Sequence, residues 1–454
     1  MATYAINVDS AERVAAGIKF ARDHNIRLTV KNTGHDLLGR SAGKGALELW
    51  THNMKNITFF NYTSPGYKGP AVKLGAGVQA FEAYAAASKK GLRIVGGSCP
   101  TVGPAGGFVQ GGGHGPLGAT YGLGADNALE FEVITTDGRH LTASPYQNSD
   151  LYWALAGGGA GNWAVVISLT TKAHVDGRVA GATLTFVNTN DTAFWTAISA
   201  WLSFQTVLDA IPNFSTLWGM SKDVFHLTYV TLPGGTGADV ASALAPYLET
   251  LKSLNVTPVQ YDTGDSPGFY EHFERWQTDV YTTNSSQGSR LIPRSTVTDP
   301  VKVSTLVSAM KVVLQDTTVT PFIAGISNNF QYARAGVKPG SNAVFPQWRD
   351  AIFTINMVAA FEADVSSAEL KRIQVLINDW QKQFRSITPG AGSYMNEAIY
   401  DYEFWKEDYY GSTYDRLLQI KKKYDPDFIL WAHAAVGSDA MTVASDGRLC
   451  RVRS

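Results

Sequence analysis

The chain contains 454 residues, of which 44% are apolar and 17% are charged, and its formal net charge is −1. This length allows two or three domains with buried cores. A nearly neutral chain without a run of Lys or Arg lacks the electrostatic footprint of a protein that binds nucleic acid or an anionic membrane surface. No segment approaches the roughly 18 apolar residues that span a bilayer, so we expect neither nucleic acids nor membranes as partners.

The first part of the chain alternates short helices and strands. Residues 9–12, Asp-Ser-Ala-Glu, have the form of a capping box and predict a helix that ends near residue 24. Strands are predicted at residues 26–30 and 45–50, and the polar loop between them contains His35 and several small residues. A strand, a glycine-containing polar loop and a second strand form an arrangement that binds phosphate groups. A strand, an alanine-rich helix and a short strand are then predicted at residues 72–74, 78–90 and 93–95.

Residues 96–127 are rich in glycine and contain Cys99. Glycine permits positive φ and lets main-chain N–H groups approach a ligand closely, and runs of such groups bind phosphate or carbonyl oxygens. We therefore expect neither an ordinary helix nor a packed strand here, but backbone that lies against a large anionic cofactor. A thiolate at Cys99 could form a bond to that cofactor; the alternative is a buried structural thiol.

The character of the sequence changes at about residue 175. Before this point, the chain is predicted to form a strand, a short helix, a second glycine cluster and another strand, at residues 129–136, 148–156, 157–163 and 165–171. After it, long helices at residues 191–208, 238–254 and 366–385 alternate with strands at residues 224–232, 321–327 and 353–361. This alternation predicts a separate antiparallel sheet covered by helices. A last helix is predicted at residues 414–423, with Asp425-Pro426 as its stop.

Several common enzyme motifs are missing or lie in the wrong context. The segment from Gly113 to Gly118 has the spacing G-x-G-x-x-G, but more glycine rather than a strand precedes it, which argues against a nicotinamide Rossmann site. The nine histidines are scattered and the two cysteines are distant in sequence, so no metal site is expected. No G-x-S-x-G follows a predicted strand, which disfavours a hydrolase.

The chain contains six Asn-X-Ser/Thr sequons, which favour a secreted glycoprotein weakly because chance supplies some of them. Residues 1–8 lack the basic and apolar regions of a signal peptide. The sequons begin at Asn56, Asn61, Asn190, Asn213, Asn255 and Asn284.

Two separate loops carry a family resemblance. Asn32-Thr-Gly-His35-Asp36, followed by Gly39-Arg-Ser41, resembles the flavin-attachment loop of the berberine bridge enzyme-like oxidases within the vanillyl-alcohol oxidase superfamily, and Cys99-Pro-Thr-Val-Gly103 resembles their second attachment site. The resemblance covers nearly the whole chain. Its further matches are Gly111-Gly-Gly113, residues 121–127, Tyr394-Met-Asn396-Glu397, Tyr409-Tyr-Gly411 and residues 423–426.

The resemblance implies an α+β fold in which a two-part FAD-binding domain of the vanillyl-alcohol oxidase type is combined with a substrate domain. We expect residues 1–174 to form the FAD-binding domain and residues 175–392 to form the substrate-binding domain, with its antiparallel sheet covered by helices. Residues 393–454 are expected to return to the FAD-binding domain.

In this family FAD is held by two covalent bonds, one from a histidine to the 8α-methyl group and one from a cysteine to C6 of the flavin. The resemblance maps these bonds to His35 and Cys99. The protein then supplies position and electrostatics while the isoalloxazine supplies the redox chemistry. The further positions that the resemblance assigns to cofactor binding are Asn32, Thr33, Gly34, Asp36, Gly39, Ser41, Gly103, Gly106, Gly107, Gly113, His114, Gly118, Tyr121, Gly122, Leu123, Asn127 and Val166.

The reaction implied by the resemblance is oxidation of a C–H next to an oxygen or nitrogen of a small molecule, an alcohol or sugar. A base takes the hydroxyl proton while hydride moves to the flavin, and molecular oxygen then reoxidises the flavin and gives hydrogen peroxide. Tyr394 is expected to be the base or its hydrogen-bond partner, with a pKa tuned downwards and with Asn396 and Glu397 beside it; the alternative is a packed aromatic side chain on a buried strand. Val102, a small residue, lies where family members control oxygen access and favours an oxidase.

Departures from the family pattern, such as Phe108 and Trp163-Ala164, resemble the fungal branch. Compared with family members, a segment ahead of the first helix is expected to be missing, part of the cofactor wall to be thin or open, and Cys450 to have no disulfide partner. We expect a monomer. The alternatives to an oxidase are a dehydrogenase or a secondary-metabolite oxidative cyclase of the same fold, or a non-catalytic member with a vestigial flavin site.

Overall fold

The computed structural model describes residues 2–277 and 284–452. The chain begins with a three-stranded parallel sheet in which β3 lies between β1 and β2. Its strands are β1 (Tyr4–Asn7), β2 (Leu28–Lys31) and β3 (Leu47–Trp50).

Helix α1 (Ala11–Asp23) connects β1 to β2, as a parallel pairing requires a crossover. It buries Val14 and Ile18 in a cluster that also contains Leu28 of β2. The helix begins after Ser10, whose hydroxyl accepts a hydrogen bond from the Arg13 N–H. The predicted helix is therefore present, but its N-cap lies one residue later than the predicted capping box.

A five-stranded antiparallel sheet with the order β4-β5-β9-β7-β8 follows. The predicted strand at residues 72–74 is the end of the nine-residue strand β5. Its hairpin partner β4 was not predicted, because β4 lies at the sheet edge and its residues are half-buried or exposed. The strands are β4 (Ile57–Ser64), β5 (Tyr67–Gly75), β7 (Ala128–Thr135), β8 (His140–Ala143) and β9 (Ala164–Lys172).

The glycine-rich run lies between a small two-stranded sheet and β7. This sheet pairs β6 (Leu92–Arg93) with β10 (His174–Val175), and α2 (Ala80–Ser88) precedes it. As expected, the run contains neither an ordinary helix nor a packed strand; it forms a π-helical turn and two single-turn helices joined by positive-φ glycines. These are Pro104–Phe108, α3 (Gly118–Tyr121) and α4 (Gly124–Asn127), and α5 (Ser149–Leu155) follows β7 and β8.

The second large sheet has seven antiparallel strands in the order β14-β11-β13-β12-β16-β17-β15. The predicted α+β fold with an antiparallel sheet covered by helices is confirmed. The strands are β11 (Val179–Val187), β12 (Ser215–Met220), β13 (Val224–Pro233), β14 (Gln260–Ser266), β15 (Ser285–Pro293), β16 (Thr320–Ser327) and β17 (Ala351–Ala360).

The long helices cover one face of this sheet, whereas the helix at residues 269–276 packs on the other face, where His272 bonds to Thr231. The longest ones begin at polar caps; Asn190, Thr236 and Ser366, for example, accept backbone N–H groups at their helix starts. The helices of this part of the chain are α6 (Asp191–Ala210), α7 (Gly237–Ser253), α8 (Phe269–Trp276), α9 (Arg294–Val297), α10 (Pro300–Leu314), α11 (Tyr332–Ala335) and α12 (Ser367–Ile387).

The seven-stranded sheet has two chemically different faces, because side chains alternate along a strand. In β17, Phe353, Ile355 and Met357 are buried in the apolar core with the covering helices. The intervening Asn356 bonds to Glu397, on the opposite face. This polar face also carries Tyr229 of β13, which bonds to the glycine-rich run, and Ser289 of β15, which bonds to the segment around residue 394. Ser215 of β12 bonds to the loop residue Asn328, which also accepts from the Ala119 N–H.

The last segment of the chain packs against the first domain. Helix α13 (Tyr414–Tyr424) carries the buried Lys421 in its last turn. Lys421 donates to the Asn162 and Leu430 carbonyls and to Asp425. Short strands β18 (Met441–Val443) and β19 (Leu449–Arg451) form a hairpin near the C-terminus. None of the helices in the described part of the chain is long and apolar enough to cross a membrane. The domain boundaries at residues 174 and 392 stay predictions.

Candidate active site

The two predicted attachment loops meet in the fold. His35 follows β2, and Cys99 follows β6 at the start of the glycine-rich run. The Nε2 atom of His35 lies 2.7 Å from the Oγ1 atom of Thr101, two residues after Cys99. Residues that are 64 positions apart in sequence therefore belong to one site, and both attachment side chains are half-buried rather than enclosed.

The His35 loop is held by an internal ion pair. Asp36 accepts the Arg40 backbone N–H and the Arg40 guanidinium, with Nε 2.7 Å from Oδ1. Gly34 and Gly39 turn the chain at φ values of +87° and +71°, which side chains rarely tolerate. Arg40 then donates to the Met395 carbonyl at 3.2 Å, so this loop also contacts the segment that contains Tyr394.

The two attachment side chains differ in charge. Burial lowers the pKa of His35 below its ordinary 6.5, so the imidazole is neutral at pH 7 and retains a free electron pair. Burial, together with the carboxylate of Glu397, raises the pKa of Cys99 to about 11. Cys99 therefore holds its proton at neutral pH, because burial disfavours the thiolate and the charge of Glu397 is negative.

Cys99 and Cys450 do not bond to each other, and both are free. Cys450 lies exposed in β19, so Cys99 remains available to a ligand. Within residues 2–277 and 284–452, no group of three or more His, Cys, Asp or Glu side chains is arranged to hold a metal ion.

The chain between the two loops is compatible with a tightly held cofactor. Asn32 donates to the Ala76 carbonyl, while its Oδ1 is buried and accepts no hydrogen bond from the protein. Gly103 and Gly106 lie against this amide, and a Cβ on either would come within 2.7 Å of its Nδ2. Gly107 is exposed at the same place. An unpartnered acceptor and exposed backbone beside His35 and Cys99 fit a tightly held FAD.

Other predicted cofactor residues are committed to contacts within the protein. A Cβ on Gly118 would meet Phe330 at 2.6 Å, and one on Gly122 would meet Asp126 at 2.6 Å. Asn127 donates to the carbonyls of Tyr121 and Leu123. The side chains of Leu123 and of Val166 in β9 are buried in the core. The structure explains these residues by packing; Thr33 and Ser41 are half-buried in the His35 loop.

Tyr394 is buried, with 3% of its surface exposed. Its hydroxyl oxygen accepts from Asn396 Nδ2 at 2.8 Å and from the Gly113 N–H, and Asn396 also donates to the Gly107 carbonyl at 2.9 Å. Burial and the neighbouring Glu397 raise the pKa of Tyr394 far above its ordinary value. The expected downward shift is therefore wrong for this environment, and Tyr394 holds its proton at neutral pH.

Glu397 is the ionised group of this segment. One of its oxygens lies 2.8 Å from His114 Nε2, and the other accepts from Asn356 Nδ2 at 2.7 Å. Although burial opposes ionisation, His114 and Asn356 outweigh it and lower the pKa of Glu397 below its ordinary value. The site thus places a carboxylate and a protonated phenol side by side.

Aromatic side chains surround this acid pair. The rings of Tyr394 and His114 lie 5.0 Å apart edge to face, and Trp348 lies 5.2 Å from Tyr394 in the same arrangement. Phe330 extends the cluster at 5.5 Å from Trp348. Val102 is half-buried and packs on the apolar core nearby. These side chains form an apolar layer around a charged group, and Phe330, Trp348 and Tyr394 are themselves buried.

The sequence interpretation did not identify Arg40, Asn356 and Thr101 as functional residues. Asn356 gave a weak signal, as a polar residue inside the apolar strand β17. Arg40 stands inside the Gly-Arg-Ser motif, but only its long-range bond to the Met395 carbonyl reveals a role. Such hydrogen bonds join segments that are distant in sequence, so the local sequence around each residue does not predict them.

Two family models match the chain. A FAD-binding domain model matches residues 2–144, which include both attachment loops. The model described as berberine and berberine-like matches residues 393–437, which include Tyr394, Asn396 and Glu397.

Full-length relatives agree with these matches. The chain is 43% identical over 461 residues to a VAO-type flavoprotein oxidase, VAO615, of Thermothelomyces thermophilus, covering 99% of this chain and 78% of that one. It is 41% identical over 464 residues to the FAD-linked oxidoreductase orf1 of Neocamarosporium betae, with coverage of 99% and 78%. A bifunctional decalin synthase, calF, of Penicillium decumbens is 40% identical over 463 residues, with coverage of 99% and 79%.

Solved structures show the same fold. The crystal structure of the VAO-type flavoprotein MtVAO615 from Myceliophthora thermophila superposes with a TM-score of 0.92 at 42% identity, covering 99% of this chain and 82% of that one. A xylooligosaccharide oxidase from the same organism shares the fold, with a TM-score of 0.78 at 19% identity and coverage of 96% and 92%. The chain therefore belongs to the berberine bridge enzyme-like, VAO-type family of FAD-linked oxidoreductases.

Proposed function

We propose that this protein is an oxidase that carries FAD on two covalent bonds, from His35 and Cys99, and oxidises a small alcohol with molecular oxygen to give hydrogen peroxide. The observation that carries the proposal is the 2.7 Å contact between His35 and Thr101, which unites the two attachment loops. A relative named as an oxidase, 43% identical over 99% of this chain, supports it further.

The charge states of the two attachment residues set their expected reactivity. His35 is neutral at pH 7 because burial lowers its pKa, and a neutral imidazole is the nucleophilic form. Cys99, with a pKa of about 11, must first lose its proton, which burial and the negative charge of Glu397 both oppose. We expect the histidyl bond to form before the cysteinyl bond.

The remaining residues bind and orient the substrate. When bound, FAD supplies the hydride acceptor for the reaction. Asn396 holds the Tyr394 hydroxyl oxygen, which leaves the phenol proton free to donate to a substrate oxygen. Trp348 and Phe330 pack behind the Tyr394 ring and hold it in place. Val102 is proposed to leave space for oxygen to approach.

The identity of the substrate follows the closer relatives rather than the fold. The sugar oxidases named among the solved structures share less than 20% identity with this chain, a level at which only the fold is shared. A decalin synthase is 40% identical over nearly the whole chain. This favours a non-sugar alcohol and, as a second candidate, an oxidative ring closure on a small organic molecule.

The proposal is tested by colour and by peroxide. The purified protein is expected to be yellow and to stay yellow after acid precipitation, and peroxide-coupled screening of aromatic alcohols, primary alcohols and oligosaccharides is expected to give a signal with an alcohol. His35→Ala and Cys99→Ala are each expected to leave one covalent bond, so only the double variant releases all colour. Loss of colour from the native protein on precipitation contradicts the covalent attachment, and a colourless native protein contradicts the flavin site.

Anaerobic reduction followed by mixing with air separates an oxidase from a dehydrogenase. Rapid return of the yellow colour with peroxide release is expected. If the reduced protein stays colourless in air and is reoxidised by a dye, the enzyme is a dehydrogenase rather than an oxidase.

We also propose that the protein is a secreted, glycosylated monomer. Among the six sequons, the asparagines at positions 56, 61, 190, 255 and 284 are exposed and the one at 213 is half-buried. The sequon at 213 ends in Ser215, which is buried and bonded to Asn328.

A further inference from the structure

We propose that Glu397 is the group that accepts the substrate hydroxyl proton, and that His114 and Asn356 are the residues that position it. This inference rests on the proposed oxidase function and replaces Tyr394 as the expected base. It depends on three features of the described residues: how Glu397 is held, how accessible it is, and which charged groups face it.

Glu397 is held from two sides by two different parts of the fold. His114, from the glycine-rich run, lies 2.8 Å from Oε1, and Asn356, from the polar face of β17, lies 2.7 Å from Oε2. Because an ionised carboxylate only accepts hydrogen bonds, His114 Nε2 must be the donor. A carboxylate accepts about four hydrogen bonds, so each oxygen retains an electron pair for a substrate hydroxyl.

Accessibility distinguishes Glu397 from its neighbours. Its side chain is 21% exposed, whereas that of His114 is 10% exposed, and Tyr394 and Asn356 are 3% and 5% exposed. The Tyr394 oxygen already accepts two N–H donors, and the Nδ1 atom of His114 is buried. Glu397 is thus the most exposed of these four side chains.

The groups that face Glu397 carry no competing negative charge at neutral pH. They are His114, Tyr394, Cys99 and Tyr229. The pKa values of Tyr394, Cys99 and Tyr229 are all raised by burial and by Glu397 itself, so these three remain protonated. The pKa of Glu397 is lowered, which leaves it as the ionised oxygen base of the cluster.

The proton-transfer step is balanced within the site. The substrate O–H bond breaks, and a new O–H bond forms on a carboxylate oxygen of Glu397, while the electron pair stays on the substrate oxygen. The Tyr394 hydroxyl donates to that oxygen, and the hydride loss from the neighbouring carbon is the chemistry that bound FAD supports.

The test uses the yellow holoenzyme and the alcohol that gives the fastest peroxide release in the screen above. Replacement Glu397→Gln keeps the shape and removes the base, so the rate of anaerobic flavin bleaching at pH 7 is expected to fall by about 100-fold to 10,000-fold, with KM changed far less. Glu397→Asp is expected to restore part of the rate. Asn356→Leu is expected to shift the acidic limb of the pH–rate profile upwards, because the carboxylate loses a donor that favours its ionised form.

Glu403→Gln is the matched control, because the Glu403 carboxylate lies six residues away from Glu397, is 55% exposed and pairs with Lys382. This variant is expected to leave the rate and the pH–rate profile unchanged. A readout without substrate is the double-mutant cycle of His114→Gln and Glu397→Gln in urea unfolding of the holoenzyme, which is expected to show coupling that decreases as acid protonates Glu397.

An unchanged rate and pH profile in Glu397→Gln, with loss of activity in Tyr394→Phe, would overturn the inference and return the role of base to Tyr394. A His114–Glu397 cycle without coupling would overturn the positioning role. Neither outcome touches the proposed function, which fails instead if the wild-type protein is colourless or releases no peroxide with any donor.

Discussion

Single residues of the site differ in charge because each has a different balance of burial and hydrogen bonding. Burial and the negative charge of Glu397 raise the pKa values of Cys99 and Tyr394, so both remain protonated. Glu397 is held by two donors and remains ionised. These states could not be predicted from the motifs, because the motifs name the residue types but not the partners that determine their pKa values.

The attachment of Cys99 gives a simple prediction at the residue scale. If Cys99 is bonded to the flavin, the denatured holoenzyme contains a single free thiol, that of Cys450, out of the two cysteines in the chain. Titration with Ellman's reagent in guanidinium is expected to give one equivalent. In Cys450→Ser the count is expected to fall to zero, and two equivalents in the wild type would show that Cys99 is free.

His174 gives a prediction on pH and stability. Its ring stacks on Tyr121 at 3.7 Å and bonds to Asn127, and burial, with smaller contributions from Lys172 and Arg93, lowers its pKa from 6.5 to about 4. Between pH 6.5 and 4, His174 is therefore protonated in the unfolded chain but neutral in the folded protein. The free energy of unfolding is expected to fall by about 3 kcal/mol, at roughly 1.4 kcal/mol per pKa unit, as the pH drops through this window, and to lose nothing more from His174 below it.

Urea unfolding at several pH values measures this effect. His174→Asn is less stable at pH 7 because it loses the stacking, but its unfolding free energy is expected to depend less on pH between 6.5 and 4. Equal slopes for the two proteins would contradict the assignment to His174.

At the scale of elements, the strongest tie between the two large parts of the fold is an ion pair. Asp126, in α4 at the end of the glycine-rich run, accepts two hydrogen bonds from Arg349 at 2.7 and 2.8 Å and a third from Asn342. Both charged side chains are almost fully buried. Since a buried charge without its partner is costly, this pair fixes the glycine-rich run against the loop before β17.

Breaking this pair is expected to destabilise the whole protein. Asp126→Asn leaves the Arg349 charge buried and is expected to lower the free energy of unfolding by about 3–5 kcal/mol, measured by urea unfolding. The exposed pair Lys371–Asp401 provides the control, and Asp401→Asn is expected to change stability by less than about 1 kcal/mol. A similar small change in both variants would show that the buried pair carries little of the stability.

The elements themselves could be predicted in proportion to their regularity. Helices α6, α7 and α12 and strands β13, β16 and β17 lie within a few residues of the predicted ranges, because long periodic patterns and polar caps define them. Strands β11, β12, β14 and β15 and helix α10 were missed. The sequence of β14, Gln-Tyr-Asp-Thr-Gly-Asp-Ser, is mostly exposed and contains few β-formers, and only its pairing with β11 makes it a strand.

At the scale of the whole molecule, the predicted antiparallel sheet and the α+β fold are confirmed, whereas the site depends on contacts between segments hundreds of residues apart. His114 and Glu397 are 283 positions apart in sequence. The family resemblance assigned both residues to the site, but only the fold shows that His114 and Glu397 are bonded to each other.

The proposed secretion gives the whole-molecule prediction. Peptide mapping by mass spectrometry of protein secreted from a fungal host is expected to find glycans at the exposed sequons and none at Asn213, whose hydroxyl partner Ser215 is buried. After enzymatic removal of glycans, light scattering is expected to give a monomer near 49.1 kDa. Absence of all glycans, or a mass twice as large, would contradict the respective proposals.

The alternation of β17 has a consequence for protein engineering. Odd-numbered positions such as 353, 355 and 357 anchor the covering helices, whereas position 356 points at the acid cluster. A substitution at position 356 therefore acts on the acid cluster, where Asn356 positions Glu397, while the odd-numbered positions keep their contacts with the helices. Reactivity and scaffold packing can accordingly be altered at separate positions of one strand.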